Sequence, residues 1–418
     1  MFTRYLTTLR RNPRFARVWM AQVVSQMGDW FSLIALSALV SRYSNGSGMA
    51  VSTLFLAMLL PSVIVGPFAG VLVDRFDRKR LMVISDLVRF VITLAFLLVR
   101  SPDQLWLVYA LTAAQFTLST LFEPARSAIV PSLVQPDDLL AANVLGSVTW
   151  SAMLALGSLL GGSVTALLGT QTALLLNSFS FLLSALLLFS IAGAFRAAPG
   201  DHERQASETG GVGDALAYLA ARPPLIPNLL AKAGGSIAAI DTLLIIFATR
   251  IFPIGTDGAL SLGVLWACFG VGAILGPLLL GRFGDGSTRA LQRLILVALV
   301  CCTVGMLALS VAPVFALVAL AIVVRAVGGA TAWTFSSVII QKSFPDRYLG
   351  RMFALDLVAY QVVAFAATLA QGLLLERAGD LGVRQVVLSF AAISLLPLVL
   401  WAVFLARRPA AAPRPATP

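Results

Sequence analysis

Apolar residues in this chain come in long blocks broken by short polar stretches. The blocks fall at 17–41, 49–73, 81–99, 105–122, 138–168, 170–194, 225–250, 258–281, 290–311, 313–340, 351–375 and 384–405. A helix needs about 20 apolar residues to cross a hydrocarbon layer roughly 30 Å thick. The blocks are too continuous for outer-membrane strands, which alternate apolar and polar positions. The pattern predicts an all-α polytopic membrane protein with twelve transmembrane helices. Pro61 and Pro277 fall inside the second and eighth spans. The fourth is expected to end near Glu123-Pro124, with 124–135 at most a kinked continuation.

Composition agrees: 59% of the residues are hydrophobic and 12% charged, and the mean hydropathy is +0.91. Soluble domains average about 45–50% apolar and about 25% charged residues. A net charge of +11 raises the possibility of nucleic acid, but the basic residues are spread over the loops between spans. One set of loops carries most of them. The amino-terminal segment holds Arg4, Arg10, Arg11, Arg14 and Arg17, and the loop after span two holds Arg75, Arg78, Lys79 and Arg80. The opposite loops hold only Arg42, Arg100, Arg250, Arg377 and Arg384. The positive-inside bias then puts both termini in the cytoplasm.

The basic first sixteen residues precede an apolar run too long for a signal-peptide core, and no cleavage site follows it. That run is expected to stay as a helix. Phe2, Tyr5, Leu6 and Leu9 recur at helical spacing among arginines, which suits a short helix on the inner membrane face. The tail from Pro409 reads as disordered. Cys268, Cys301 and Cys302 all lie in apolar runs, so no disulfide framework is expected. His202 stands in a polar loop with no ligand-type neighbours, and neither a metal nor another cofactor is expected.

A polar stretch at 195–221 divides the chain. The expected units are a basic amphipathic amino terminus (1–16), a six-helix bundle (17–194), a cytoplasmic loop (195–221), a second six-helix bundle (222–405) and the tail (406–418). Echoes across the divide indicate duplication. Gly70 to Asp74 after span two match Gly281 to Asp285 after span eight, 211 residues on. Pro136-Asp137 before span five and Pro345-Asp346 before span eleven are 209 apart, and Asp29 and Asp241 are 212 apart. Repeats with an even number of spans insert in the same orientation, related by an axis along the membrane normal.

The segment Gly66 to Arg80 contains G-x-x-x-D-R-x-x-R-K, with Gly70, Asp74, Arg75, Arg78 and Lys79 at the fixed positions. It resembles the loop between helices two and three of the major facilitator superfamily (MFS). Position, sidedness, twelve spans and the degenerate second copy ending in Asp285 agree with it. Gly70 would let span two approach a neighbour closely. Asp74 would face the positive end of a helix beginning on the cytoplasmic side, which the resemblance identifies as span eleven, starting near Gly350. That pair would latch the cytoplasmic side. Arg75, Arg78 and Arg80 are expected to pair with Glu123 or Asp86; topology alone would explain Lys79.

Two further stretches are similar to the enterobactin-exporter and macrolide-efflux branch of the superfamily. One runs from Gln22 through Gly28-Asp29-Trp30. The other runs from Pro124 through Arg126 to Val134, with Leu139 to Asn143 after it. Bacterial lysophospholipid transporters share the Gly-Asp of span one. Drug antiporters carry an Arg-x-x-x-Gly pattern in helix four, where this chain has Gln115; Arg325-Ala-Val-Gly328 lies in span ten instead. Such a resemblance implies a monomer in the bacterial inner membrane.

Ionisable groups at bilayer depth are expensive unless they line water or find partners. Asp29 lies roughly 18 Å past Arg17 at about 1.5 Å per residue, near the midplane where transporters place substrate and coupling sites. It is a candidate to bind and release a proton; the alternative is bonding to Gln22 or Gln26. Asp241 is its repeat mate, with Lys232 on the same span. Arg325 is a candidate to hold a substrate carboxylate or phosphate, or to compensate Asp356 or Asp241. Asp356 reads as structural and near the gate, and Arg89 with Asp86 as part of the gate network. Gln115 and Gln361 are isolated polar candidates for substrate or interhelical bonding. Trp19, Trp30, Trp150, Trp266 and Trp333 could line a pocket, although anchoring and packing are commoner uses.

The expectation is a secondary transporter that exports a hydrophobic or amphipathic molecule of drug, macrolide or siderophore type by alternating access. Protons are the favoured coupling ion, and sodium stays open. A lysophospholipid flippase of the same fold is the alternative. No phosphate-binding G-x-x-x-x-G-K-[ST] loop is present. Nor is there an intramembrane His or a nucleophile–base constellation that would make an enzyme.

Overall fold

The structure is a computed structural model and describes residues 2–193, 195, 212–377 and 380–407. The side chains of Gly70 and Asp74, His202, most of the central loop and the tail from 408 lie outside the described residues. Among the described residues all regular structure is helical.

Twelve helices are long and apolar enough to cross a membrane. They are span one Pro13–Tyr43, two Gly48–Gly66, three Arg78–Leu98, four Pro102–Ser132, five Pro136–Leu168 and six Thr170–Phe189. The second half comprises span seven Pro223–Ile251, eight Thr256–Phe283, nine Thr288–Val311, ten Phe315–Ser343, eleven Tyr348–Arg377 and twelve Gly382–Arg407. A short amphipathic helix, Phe2–Arg11, precedes them. Another, Val212–Ala220, lies inside the stretch expected to be only a loop.

Local chemistry explains several boundaries. Ser47 caps the helix of span two by accepting from the Ala50 N–H, and Ser287 caps span nine through the Ala290 N–H, as hydroxyl residues do at helix starts. Asp77 in the arginine-rich loop caps span three, accepting from the Arg80 N–H at 2.8 Å and the Phe195 N–H at 2.6 Å. Gly169 makes the turn from span five to span six with a φ of +88°, which only glycine adopts cheaply. Span four departs from expectation. Its helix runs through Pro124 to Ile129 and closes in a 3-10 turn at Val130–Ser132.

Spans one to six form one bundle and seven to twelve the other. The two meet where span two packs on span eleven and span five on span eight. The second seam is tight: a Cβ built on Gly162 would lie 2.7 Å from the Gly263 Cα, the close backbone approach that small residues permit between membrane helices. These seams lie toward the face opposite the termini. There a single apolar cluster joins both halves, running from Phe31, Ile34 and Leu54 to Leu243, Leu262 and Phe390. Toward the terminal face the clusters stay within one half. Phe15, Met82, Phe122 and Ile129 pack together in the first, and Leu291, Ile339 and Trp401 in the second. The halves are therefore joined at one end and parted at the other.

Candidate functional site

A chamber of about 1160 Å³ fills the space between the parted halves. Span one turns Gln22, Gln26, Asp29 and Trp30 toward it, and span four Thr112, Gln115, Ser119, Glu123 and Arg126. Their three- and four-residue spacings place each set on one face of its helix. Span five adds Asn143, Gly146, Ser147 and Trp150. The second half gives Asp241, Trp266, Trp333 and Thr334. The polar wall thus belongs mainly to the first half.

Asp29 and its repeat mate Asp241 line this one chamber, and Gln115 lines it with them. Next to Asp29, the Trp30 ring meets the Trp266 ring of the other half at 5.4 Å and 58°. Both indoles pack on the apolar cluster that joins the halves, so they form the chamber floor. Trp19, Trp150 and Trp333 are lining residues as well; all five tryptophans, for which packing seemed the commoner use, face the cavity.

Helix five and span seven each carry an irregular turn. A π-helical turn at Met153–Gly157 brings Gly157 against the Trp30 ring, where a Cβ would lie 3.0 Å from Cδ1. Span seven, read as continuous from its sequence, is broken. One helix ends at Ser236, the next begins at Asp241, and a π-helical turn follows at Phe247–Ile251. Asp241 therefore sits at a helix start exposed to the chamber.

The basic residues are paired differently from the sequence expectation. Glu123 is bound by Arg126, with 2.7 Å and 3.1 Å bonds, and Arg126 also reaches Gln22 Oε1 at 3.1 Å. Asp86 is bound by Arg89, and Ser184 donates to its other oxygen at 2.6 Å. Arg75, Arg78 and Arg80 take neither carboxylate. Arg78 donates to the Ala128 carbonyl at 2.9 Å, and Arg75 and Arg80 are exposed. The reason is depth: Asp86 is fully buried within the first bundle, below the reach of the loop. The Arg89–Asp86 pair is accordingly a bundle-core pair and not a gate-loop pair. The Arg89 guanidinium lies between the Phe122 and Phe181 rings, 4.5 Å from each centroid, and still reaches the chamber wall.

Arg325 does not line the chamber, and Asp356 does not pair with it; of the expected partners only Asp241 feels its charge. Buried in span ten, Arg325 donates to the Ala238 carbonyl at 2.8 Å and more weakly to Gly235 at 3.5 Å. It thus satisfies carbonyls released by the break in span seven. Gln371 of span eleven donates to Ala239 at 2.6 Å for the same reason. Asp356 instead forms a buried ion pair with Lys232, joining spans eleven and seven, a pairing that sequence spacing did not reveal. The Lys232 ammonium lies 4.7 Å from the Trp333 ring centroid. Gln361 does not line the chamber.

Asp285 in the second-copy loop is exposed. Hydrogen bonds from the Ser287 hydroxyl and then its backbone N–H hold its carboxyl below the usual carboxylate range. The latch residues Gly70 and Asp74 lie outside the described side chains. Among the described residues no group of His, Cys, Asp or Glu could hold a metal ion.

Residues 6–413 match the protein family described as transmembrane secretion effector. The uncharacterized MFS-type transporter YfiS of Bacillus subtilis strain 168 is 28% identical over 211 residues, 50% of each chain. The chain thus spans about half the length of this relative. The putative bacilysin exporter BacE of Bacillus subtilis is 23% identical over 82% of this chain and 84% of its own. Macrolide efflux protein A of Streptococcus pyogenes is 30% identical over 30% of this chain and 31% of its own. In fold, the chain is similar to a crystal structure of the nucleoside transporter NupG, with a TM-score of 0.76 and 12% identity over 94% and 99% of the two chains. A bacterial homolog of the lysosomal transporter Spinster gives 0.73 and 13% over 94% and 97%.

Proposed function

This chain belongs to the transmembrane secretion effector family of the major facilitator superfamily, and from that premise we propose that it is a secondary active exporter. It moves a hydrophobic or amphipathic small molecule out of the cell by alternating access, in exchange for protons. One observation carries the reading: a single chamber between two duplicated bundles, open toward one face and closed at the other by contacts between the bundles. Two halves that rock about a central pocket expose it to each side in turn. The basic loops assign the terminal face to the cytoplasm of a bacterial inner membrane. On this reading the structure is the inward-open state, and the latch expected of Asp74 belongs to the outward-open one.

Asp29 is the proposed proton carrier, since it lines the chamber beside Gln115 and at the repeat position of Asp241. The named relatives that export bacilysin or macrolides support the outward direction. The test uses proteoliposomes with an imposed pH gradient, a panel of dyes and drugs, and a labelled lysophospholipid. Gradient-driven flux of a dye or drug that disappears in Asp29→Asn is the expected result. Unchanged flux in that variant removes Asp29 from coupling. Movement of the lysophospholipid alone replaces export with lipid flipping.

A further inference from the structure

The charges around the chamber do not cancel. Three carboxylates line it, Asp29, Glu123 and Asp241, with two guanidinium groups, Arg89 and Arg126. Arg89 is held by Asp86 and Arg126 by Glu123. Nearby cations of the second half are engaged elsewhere: Lys232 holds Asp356, and Arg325, although it acts on Asp241 electrostatically, donates to the carbonyls of the span-seven break. Among the described residues neither Asp29 nor Asp241 forms an ion pair. Asp29 adjoins Trp30 of the Trp30–Trp266 floor and Asp241 lines the same chamber, and indole faces attract cations within about 6 Å of the ring.

The wall also presents unused hydrogen-bonding atoms. Gln26 Oε1, an acceptor, and Trp266 Nε1, a donor, are buried without a partner among the described residues. Buried polar atoms of native proteins are ordinarily bonded, so an unmatched pair on one cavity wall points to a ligand that carries the complement.

Building on the transport reading, we propose that the chamber is selective for organic cations with an aromatic body. Asp29 and Asp241 receive the positive group, and Trp30 and Trp266 take the aromatic body. A cation supplies the counter-charge that the chain itself does not, whereas an anion of the same shape meets two like charges, and such juxtaposition rejects wrong ligands. Gln26 Oε1 accepts from a ligand N–H, and Trp266 Nε1 donates to a ligand ether or carbonyl oxygen.

The test compares two dyes on one xanthene frame, cationic rhodamine 6G and anionic fluorescein. Their fluorescence anisotropy is followed on the full chain in nanodiscs, with empty nanodiscs as the blank. Rhodamine 6G should bind at least about tenfold more tightly than fluorescein, and Asp29→Asn with Asp241→Asn should remove that preference. Asp103→Asn, exposed in the first turn of span four and away from the chamber, should leave it intact. Equal binding of the two dyes to the unaltered chain overturns the proposal without requiring any variant to fold. Undiminished rhodamine binding by the double variant overturns it too. The parent reading fails separately. A neutral dye moved across vesicles by a chain that ignores rhodamine 6G sinks cation selectivity and keeps transport. Aspartate-dependent rhodamine binding with no flux under any gradient keeps the site and sinks transport.

Discussion

Spans one and seven occupy the same place in the two halves, and each delivers an aspartate to the chamber. They do it by different means. Span one is an unbroken helix from Pro13 to Tyr43, with Asp29 in mid-course. It is held against span six where Asn177 donates to Ser32 Oγ at 2.6 Å. Span seven stops at Ser236 and restarts at Asp241, and side chains from spans ten and eleven serve the carbonyls it releases. The cross-helix contacts have diverged as well. On the terminal side of its aspartate, span one reaches span five through Gln22, and span seven reaches span eleven through Lys232. In the first half this contact is a 3.4 Å bond from Gln22 to the Gly146 carbonyl; in the second it is a buried ion pair. The two halves thus join corresponding pairs of spans by different chemistry. The first half joins these spans through neutral polar groups, and the second through a buried ion pair.

The largest expected effect tests that difference. Removing one partner of a buried ion pair strands the other and costs about 3–5 kcal/mol. Lys232→Met alone, or Asp356→Leu alone, should lower stability by that amount in thermal unfolding of the detergent-purified chain. The double variant should recover most of the loss, because an apolar pair of similar volume replaces an ion pair at little cost. Gln22→Met, in the first half, loses its weak bond to Gly146 and the one from Arg126 and should cost about 1–3 kcal/mol. Equal losses at the two places would mean that the chemistry of the contact had not diverged in its energetics.

Next in size is the break itself. Arg325→Leu leaves the Ala238 and Gly235 carbonyls without their charged donor, and a hydrogen bond to a charged group contributes about 1.5–3 kcal/mol. A loss near the top of that range is expected by chemical unfolding. For comparison in the first half, Asn177→Leu removes two neutral bonds, to Ser32 and from Ser180, and should cost about 1–2 kcal/mol. If Arg325→Leu were as mild as Asn177→Leu, the break would not depend on the guanidinium.

The sequence made some of this contrast visible and hid the rest. Twelve spans followed from block length, and the shared place of Asp29 and Asp241 followed from their 212-residue offset. The break did not, because the residues where it falls, Ile237 to Ile240, are all apolar and only the Gly234-Gly235 pair before them resembles a helix stop. The partners of the charges were hidden for a related reason. Pairing across a bundle depends on the rotation of each helix about its axis, and an apolar helix with no polar stripe gives no rotation. Hence Lys232 was not matched to Asp356, and the loop arginines were assigned carboxylates that Arg89 and Arg126 hold. Span four held a usable signal that went unread: Thr112, Gln115, Ser119, Glu123 and Arg126 recur at three- and four-residue spacing, and that face is the chamber wall.

A third variant asks why span one stayed whole. Its Gly28 lets it lie directly against span six; a Cβ there would come 2.1 Å from Ser180 Oγ and 2.3 Å from Asn177 Oδ1. The residue at the corresponding place in span seven, just before Asp241, is Ile240, which is buried without such a conflict. Gly28→Ala should therefore force local shifts costing about 1–3 kcal/mol, the usual cost of overpacking, whereas Ile240→Val should cost about 1 kcal/mol. Unfolding midpoints check both. A neutral Gly28→Ala would show that span one has room to move off span six.

The smallest effect belongs to the place where the two spans meet each other. At the end away from the termini, Ser41 of span one donates to Thr249 of span seven at 2.8 Å, and Arg250 reaches the Gly46 carbonyl at 3.1 Å. Beside them Arg42 pairs with Asp257 across the halves at 3.1 Å, with 46% and 22% of the two side chains exposed. Exposed pairs contribute roughly 0.2–1 kcal/mol, so Arg42→Ala should loosen this end without unfolding the chain. The shift in the balance between open and closed forms should be about twofold, read as a change in spin-label distances across the seam. Salt supplies the control, since exposed charges lose most of their attraction within a Debye length of about 3 Å at 1 M. High salt should reproduce the shift in the unaltered chain and add nothing in Arg42→Ala. A salt response of the same size in both would assign the closure to the hydroxyl and carbonyl bonds of spans one and seven alone.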